Sequence, residues 1–180
     1  KEPFRVEGKK TLGYEIAEQL GWTLPDVVAY PTGGGTGLIG MWKAFQELRD
    51  SNWVRGTLPR MFSVQASGCA PVVRAFETGA DRCTPWEDPR TVAAGLRVPA
   101  PIGDRLMLRA LRESGGGAVA VSDEDLQSAA AELQTVEGID ASPEGGAALA
   151  GAVELKRRGA VRAGERVALF NTGAGWLYRA

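Results

Sequence analysis

The sequence predicts an α/β protein, a mostly parallel sheet with helices on both faces. Three observations carry this expectation. Short apolar runs of strand length recur, and stretches with apolar residues at helical spacing lie between them. Helix starts are marked by cap-type residues, as at Ser122 and at Ser142-Pro143. Two glycine-rich turns follow directly on apolar runs, where parallel sheets place their ligands.

Taken in order, residues 9–20 place Leu12, Ile16 and Leu20 at helical spacing, and Gly21 stops that helix. Asp26-Val27-Val28-Ala29-Tyr30 reads as a short buried strand. The loop Pro31-Thr32-Gly33-Gly34-Gly35-Thr36-Gly37 follows, then a helix over 36–49 with Leu38, Met41, Trp42, Phe45 and Leu48 on one side. Arg60 to Gln65 is a second strand, and a helix is expected over 69–78. Between 79 and 102, Pro85, Pro89, Pro99 and Pro101 break any long element, which suits a functional loop. A helix over 103–113 leads to the strand Ala118–Val121. Ser122 then caps a helix with Asp125 as capping-box partner, and Leu126, Ala129, Ala130 and Leu133 form its apolar stripe. Ser142-Pro143-Glu144 starts another helix, with proline at its first position and a carboxylate favoured by the helix dipole. The last strand, Arg166–Phe170, runs into Asn171-Thr172-Gly173-Ala174-Gly175. Both glycine turns are therefore expected to look into one crevice. No internal repeat or low-complexity linker interrupts the chain.

Composition excludes several classes. The 180 residues suit one domain or one large piece of a bigger protein. The apolar fraction of 44% and charged fraction of 24% fit a packed globular chain. The 21 basic and 22 acidic residues nearly cancel with no basic block, so nucleic acid is not an expected partner. No apolar run is long enough for a membrane span, and no signal-peptide pattern is present. Cys69 and Cys83 lack metal-ligand spacing and read as ordinary thiols of a reducing compartment, so the expected location is cytoplasmic. The count of zero histidines removes Ser-His-Asp and Cys-His catalysis and disfavours catalytic zinc, so no metal site is expected.

The first glycine turn reads as a phosphate-binding loop. Amides at a helix start have no intrahelical partner, the dipole adds positive potential, and glycines let an anion approach several amides together. Thr36 can add a hydroxyl or cap the helix. A nucleoside-triphosphate loop would need Gly-Lys-Ser/Thr, and no lysine follows Gly37 until Lys43. A dinucleotide fingerprint is formally present in Gly35-Thr36-Gly37-Leu38-Ile39-Gly40. The next strand, however, ends at Val64-Gln65-Ala66 without the carboxylate that would hold a ribose. A single phosphate monoester needs only amides and a hydroxyl, which this loop has.

The run Tyr30-Pro-Thr-Gly-Gly-Gly-Thr-Gly-Leu-Ile-Gly-Met-Trp-Lys-Ala-Phe45 closely resembles threonine synthases, pyridoxal 5'-phosphate (PLP) enzymes of the tryptophan-synthase β-subunit fold, fold type II. The likeness includes Lys1–Trp22, Val64-Gln65-Ala66-Ser67-Gly68-Cys69-Ala70-Pro71, Gly95-Leu96-Arg97-Val98-Pro99, Ser142-Pro143-Glu144-Gly145 and Asn171–Gly175, and so covers nearly the whole chain. The resemblance implies conversion of O-phosphohomoserine and water to threonine and phosphate. It implies that Gly33, Gly34, Gly35, Thr36 and Gly37 bind the PLP phosphate, and that Thr172 is the hydroxyl near the pyridine nitrogen. Glu144 reads first as a helix-dipole carboxylate, and Arg97 as either a solvated arginine or a contact for an anionic substrate. The family's Schiff-base lysine lies in a Ser-Phe-Lys-Asp-type segment upstream of the matching region. None of Lys1, Lys9, Lys10, Lys43 and Lys156 matches it, so no catalytic residue is assigned. The chain is expected to be the C-terminal part of the large cofactor-binding domain, residues 1–180, without the catalytic-lysine segment and most of the small domain. Alone it should be inactive, and it should self-associate or pair with the missing N-terminal part. A related PLP lyase, of dehydratase or cysteate-synthase type, and a non-catalytic phosphate-binding module stay open as alternatives.

Overall fold

A computed structural model describes residues 3–179. Four strands, β1 (Val27–Pro31), β2 (Arg60–Ala66), β3 (Gly117–Val121) and β4 (Val167–Leu169), form one parallel sheet in the order β3-β2-β1-β4. The chain steps outward from β1 to β2 and β3, then crosses back to lay β4 on the other side of β1. The order therefore reverses beside β1, and crevices at the carboxyl ends of strands open at such reversals. Ala29 lies opposite Leu169, so the segments leaving β1 and β4 start side by side.

Among the described residues the α-helices are α1 (Phe4–Lys9), α2 (Thr11–Gln19), α3 (Thr36–Asp50), α4 (Pro71–Glu77), α5 (Asp104–Glu113), α6 (Asp123–Glu137) and α7 (Pro143–Arg157); α3 to α7 cover the sheet, and α1 and α2 pack on α3. Side chains alternate across the strands. Val28, Met61 and Ala118 pack with Leu38, Met41, Phe45, Val72 and Leu111 of α3, α4 and α5. Val27, Ala29, Phe62, Val64 and Val119 pack with Leu126, Ala147 and Leu155 of α6 and α7. Both faces of the sheet are thus helix-covered, as the sequence predicts. Glycine sets how closely α7 approaches. A Cβ at Gly151 would stand 2.5 Å from Val64 Cγ2, and one at Gly146 would stand 2.1 Å from the Leu126 carbonyl oxygen.

The expected capping box of α6 is formed. Ser122 Oγ accepts from the Asp125 amide at 3.0 Å, and the Asp125 carboxylate accepts in return from the Ser122 amide. Ser142 caps α7 through the Gly145 amide. The N-terminal reading needs one addition. The helix expected over 9–20 is α2, Thr11–Gln19, and a further helix, α1, precedes it and meets it at Lys10. The six-residue α1 carries no apolar stripe of its own and forms against α3, where a Cβ at Gly40 would fall 2.9 Å from Lys9. Leu20 is half exposed rather than part of the stripe, because Gly21 (φ 67°) and Trp22 (φ 60°) turn the chain away there. The helix expected from 69 starts at Pro71, since Gly68–Ala70 make a tight turn closed by the Cys69 amide on the Ala66 carbonyl.

Candidate functional site

The glycine loop bridges the end of β1 and the start of α3, as expected. Its base is fixed from three sides at the buried Thr32. The Thr32 amide donates to the Val64 carbonyl at 2.8 Å, its hydroxyl donates to the Tyr30 carbonyl at 2.8 Å, and its own carbonyl accepts from Gln65 Nε2 at 3.1 Å. Each following glycine has a separate reason. A Cβ at Gly33 would lie 2.2 Å from the Gly95 carbonyl oxygen, and one at Gly37 would lie 2.1 Å from the Tyr30 hydroxyl. Gly35 adopts φ 81°, a left-handed conformation natural to glycine. Gly34 is exposed and has open space where a side chain would be. Among the described residues, no backbone oxygen accepts from the amides of Gly34, Gly35, Thr36, Gly37 or Leu38 outside the helix's own pattern. A tight base, small walls and one open glycine make a cradle into which an anion could enter and a side chain could not.

One expectation about this loop is overturned. Thr36 does not cap α3. Gly35 is the N-cap, no side chain caps that end, and Thr36 is the first helical residue. The uncapped helix start leaves its amides to whatever enters the cradle.

The proline-bounded segment closes one side. Its 3-10 turn, Ala94–Leu96, lies against Gly33 through the Gly95 carbonyl. The segment is held upstream by Asp123 at the start of α6, which accepts from the Thr91 hydroxyl at 2.6 Å and the Val92 amide at 3.0 Å. It is held again by Glu144, whose Oε1 accepts from the Gly95 amide at 2.8 Å. Arg97 is exposed just after this turn.

The second glycine turn meets the start of α7. The Ser142 amide donates to the Gly173 carbonyl at 3.0 Å, and the Gly175 amide donates to the Asp140 carbonyl at 2.8 Å. A Cβ at Gly145 would strike Asn171 Oδ1 at 2.2 Å, so a glycine in α7 lets this turn sit close. Thr172 is exposed at its outer edge. Tyr30 and Phe170, from the adjacent segments, meet edge to face with ring centroids 5.2 Å apart. The structure thus brings both glycine turns, the 94–97 segment and Glu144 to one end of the sheet.

Glu144 is more than a helix-dipole carboxylate. It is 4% exposed, and its Oε2 is a buried acceptor without a hydrogen-bond partner among the described residues. The Tyr178 hydroxyl lies near it, and burial together with the Glu144 carboxylate pushes Tyr178 up to about 12. A buried carboxylate beside the glycine loop marks a polar environment rather than a packed core.

The lysines stand apart. Lys43 pairs with Glu7, and Lys10 with Glu7 and Glu47, where α1 and α2 pack on α3. Lys9 and Lys156 are exposed, and Lys1 lies outside the described residues. Cys69 is buried beside Val98 and Arg97, and burial pushes its thiol up. Broad surface grooves occur along α5 from Ile102 to Glu113 and at the opposite end of the sheet around Arg60; the glycine loop lines neither, and Gly103 of the first lies next to the Gly34 carbonyl. Gln65 escaped the sequence reading except as a missing carboxylate. The available signal was a polar residue in the otherwise apolar Val64–Ala66 strand end.

The sequence pattern of the pyridoxal-phosphate dependent enzyme family matches residues 1–173. The threonine synthase of Methanosarcina acetivorans is 38% identical over 171 residues, which is 95% of this chain and 42% of that protein. The threonine synthase of Methanocaldococcus jannaschii is 36% identical over 173 residues, 96% of this chain and 42% of that protein. The chain thus spans less than half the length of these relatives. Among solved structures, a threonine deaminase from T.th. superposes with a TM-score of 0.69 at 29% identity, over 87% of this chain and 54% of that one. The processed threonine deaminase isoform 2 of Solanum lycopersicum shares the fold, with a TM-score of 0.75 at 20% identity over 96% of this chain and 46% of that one.

Proposed function

We infer the function from one premise: the chain belongs to the pyridoxal-phosphate dependent enzyme family. Within that family we propose that it is part of a threonine synthase, the enzyme that converts O-phosphohomoserine and water to threonine and phosphate. In this reading residues 1–180 are the C-terminal part of the large cofactor-binding domain, and the lysine that bonds to the cofactor belongs to a segment outside this sequence. The observation that carries the reading is the glycine cradle, with the open Gly34 above an uncapped helix start. The 38% identity to a threonine synthase supports the choice within the family.

The residues divide the work as follows. The main chain of Gly33, Gly34, Gly35, Thr36 and Gly37 receives the phosphate monoester, with the Thr36 hydroxyl available as a further donor. Thr172, on the turn beside β1, offers a neutral hydroxyl to the ring nitrogen. The bound cofactor supplies an electron sink for carbanions at the substrate. Glu144 holds the 94–97 segment in place through Gly95, which keeps Arg97 at the rim of the crevice. The placement of Lys10 and Lys43 in ion pairs supports the view that neither is the cofactor's lysine.

The test is to mix the chain with PLP, reduce with borohydride, and assay release of phosphate from O-phosphohomoserine. The expected result is no uniquely labelled lysine and no turnover by the chain alone, with turnover appearing when the upstream segment of a threonine synthase is added in trans. A single stoichiometrically labelled lysine together with turnover by the chain alone would sink the proposal. The likeness to a threonine deaminase at 29% identity favours a second reading, a related PLP lyase. A substrate panel on the complemented enzyme separates the two.

A further inference from the structure

The floor of the glycine cradle is tied to the rest of the fold by one buried side chain. Gln65 is fully buried near the end of β2. Its Nε2 donates to the Thr32 carbonyl at 3.1 Å, one residue before Gly33. Its Oε1 accepts from the Val72 amide at 2.8 Å and the Val73 amide at 3.2 Å, in the first turn of α4. The N-cap of helix α4 is Ala70, which has no side chain able to cap it, so Gln65 fills that role from the neighbouring strand. A buried amide with both ends used in this way fixes its own orientation, and it fixes the two segments it joins. Of the three bonds that hold Thr32, this is the one that reaches it from another segment's side chain. The others are main-chain pairing to β2 and a local hydroxyl bond.

We propose that Gln65 is a positioning residue for phosphate binding: it sets the height and direction of the Thr32–Gly33 peptide, and so aims the amides of the cradle. The proposal rests on the reading of Gly33–Gly37 as a phosphate site. Preorganised amides bind an anion without first ordering the loop, so loss of the strut should weaken binding of the phosphate in particular. The apolar part of the cofactor gains nothing from the loop amides and should be bound as before.

The experiment compares PLP with pyridoxal, its phosphate-free counterpart, on the 180-residue chain, with both affinities from equilibrium dialysis well below the unfolding temperature and phosphorus NMR following the PLP phosphate alone. Gln65→Met removes both bonds. Gln65→Glu at mildly alkaline pH keeps an oxygen for the Val72 and Val73 amides, whose donation favours the carboxylate form, and turns a negative oxygen toward the Thr32 carbonyl. Ser114→Ala is the stability control. Its hydroxyl accepts from the Met61 amide at 3.0 Å near the other end of the same strand, far from the cradle. The expected result is a PLP-to-pyridoxal affinity ratio lowered about tenfold in both Gln65 variants and unchanged in Ser114→Ala. Should Gln65→Met fail to fold, Gln65→Glu carries the comparison. An unchanged ratio in Gln65→Glu overturns the proposal, and so does an equal fall in Ser114→Ala, which would tie affinity to stability alone. A parent chain with no preference for PLP over pyridoxal is a different failure. It would strike the phosphate-site reading itself, and the role of Gln65 would fall with it.

Discussion

Gly33 and Gly34 are adjacent in one loop, yet the same substitution should act on them in opposite ways. In Gly33→Ala the new Cβ would stand 2.2 Å from the Gly95 carbonyl oxygen, where ordinary contact begins near 3.4 Å. The obstacle is backbone, and Glu144 and Asp123 hold that backbone in place, so it cannot swing aside as a side chain would. Overpacking of this kind costs about 1–3 kcal/mol. At about 2–4 °C per kcal/mol for a chain of this size, Tm should fall by roughly 2–12 °C. Gly34→Ala meets no heavy atom within 4 Å. It should leave Tm level or raise it slightly, since alanine removes about 0.4–1 kcal/mol of unfolded-state entropy. The assay is thermal unfolding followed by far-ultraviolet circular dichroism on the chain without ligand. An equal drop in both variants, or no drop in Gly33→Ala, would contradict the loop geometry. In a PLP titration both variants should bind more weakly, Gly34→Ala because its methyl group occupies the open cradle.

Tyr178, raised to about 12 by burial and by Glu144, should be moved back toward 10 by Glu144→Gln, read as tyrosinate absorbance against pH. Because the folded chain keeps this proton longer than the unfolded one, the stabilisation is complete below pH 10 and is lost as pH rises through 12. The alkaline loss of Tm should therefore be shallower in Glu144→Gln, and identical titrations would separate the two groups. Burial raises both thiols, Cys83 to about 11 with the Asp104 carboxylate contributing. Both should react slowly with a disulfide reagent at mildly alkaline pH and promptly in guanidinium. Equal rates in the two solvents would count against the buried environments.

The α/β class, the strand and helix order after residue 26, the capping box at Ser122 and the place of the glycine loop between β1 and α3 are all legible in the residues alone. These are local matters. Alternation, helical spacing, caps and glycine runs write themselves into a few consecutive residues. The residues could not show α1 or the half-exposed Leu20, because a six-residue helix forms through its contact with α3 rather than through its own pattern. Nor could they show that Gly35 rather than Thr36 begins α3, since that turns on one left-handed φ. It took the folded arrangement to lay the segments after β1 and β4 side by side. The same arrangement set Gly95 against Gly33, left Glu144 Oε2 buried without a partner among the described residues, and gave Gln65 both the Thr32 carbonyl and the start of α4 to hold. The reason is distance along the chain. Glu144 and Gly95 are 49 residues apart, and Gln65 and Thr32 are 33 apart. No local propensity encodes such a pairing, which exists only once the parallel sheet has brought the carboxyl ends of its strands together.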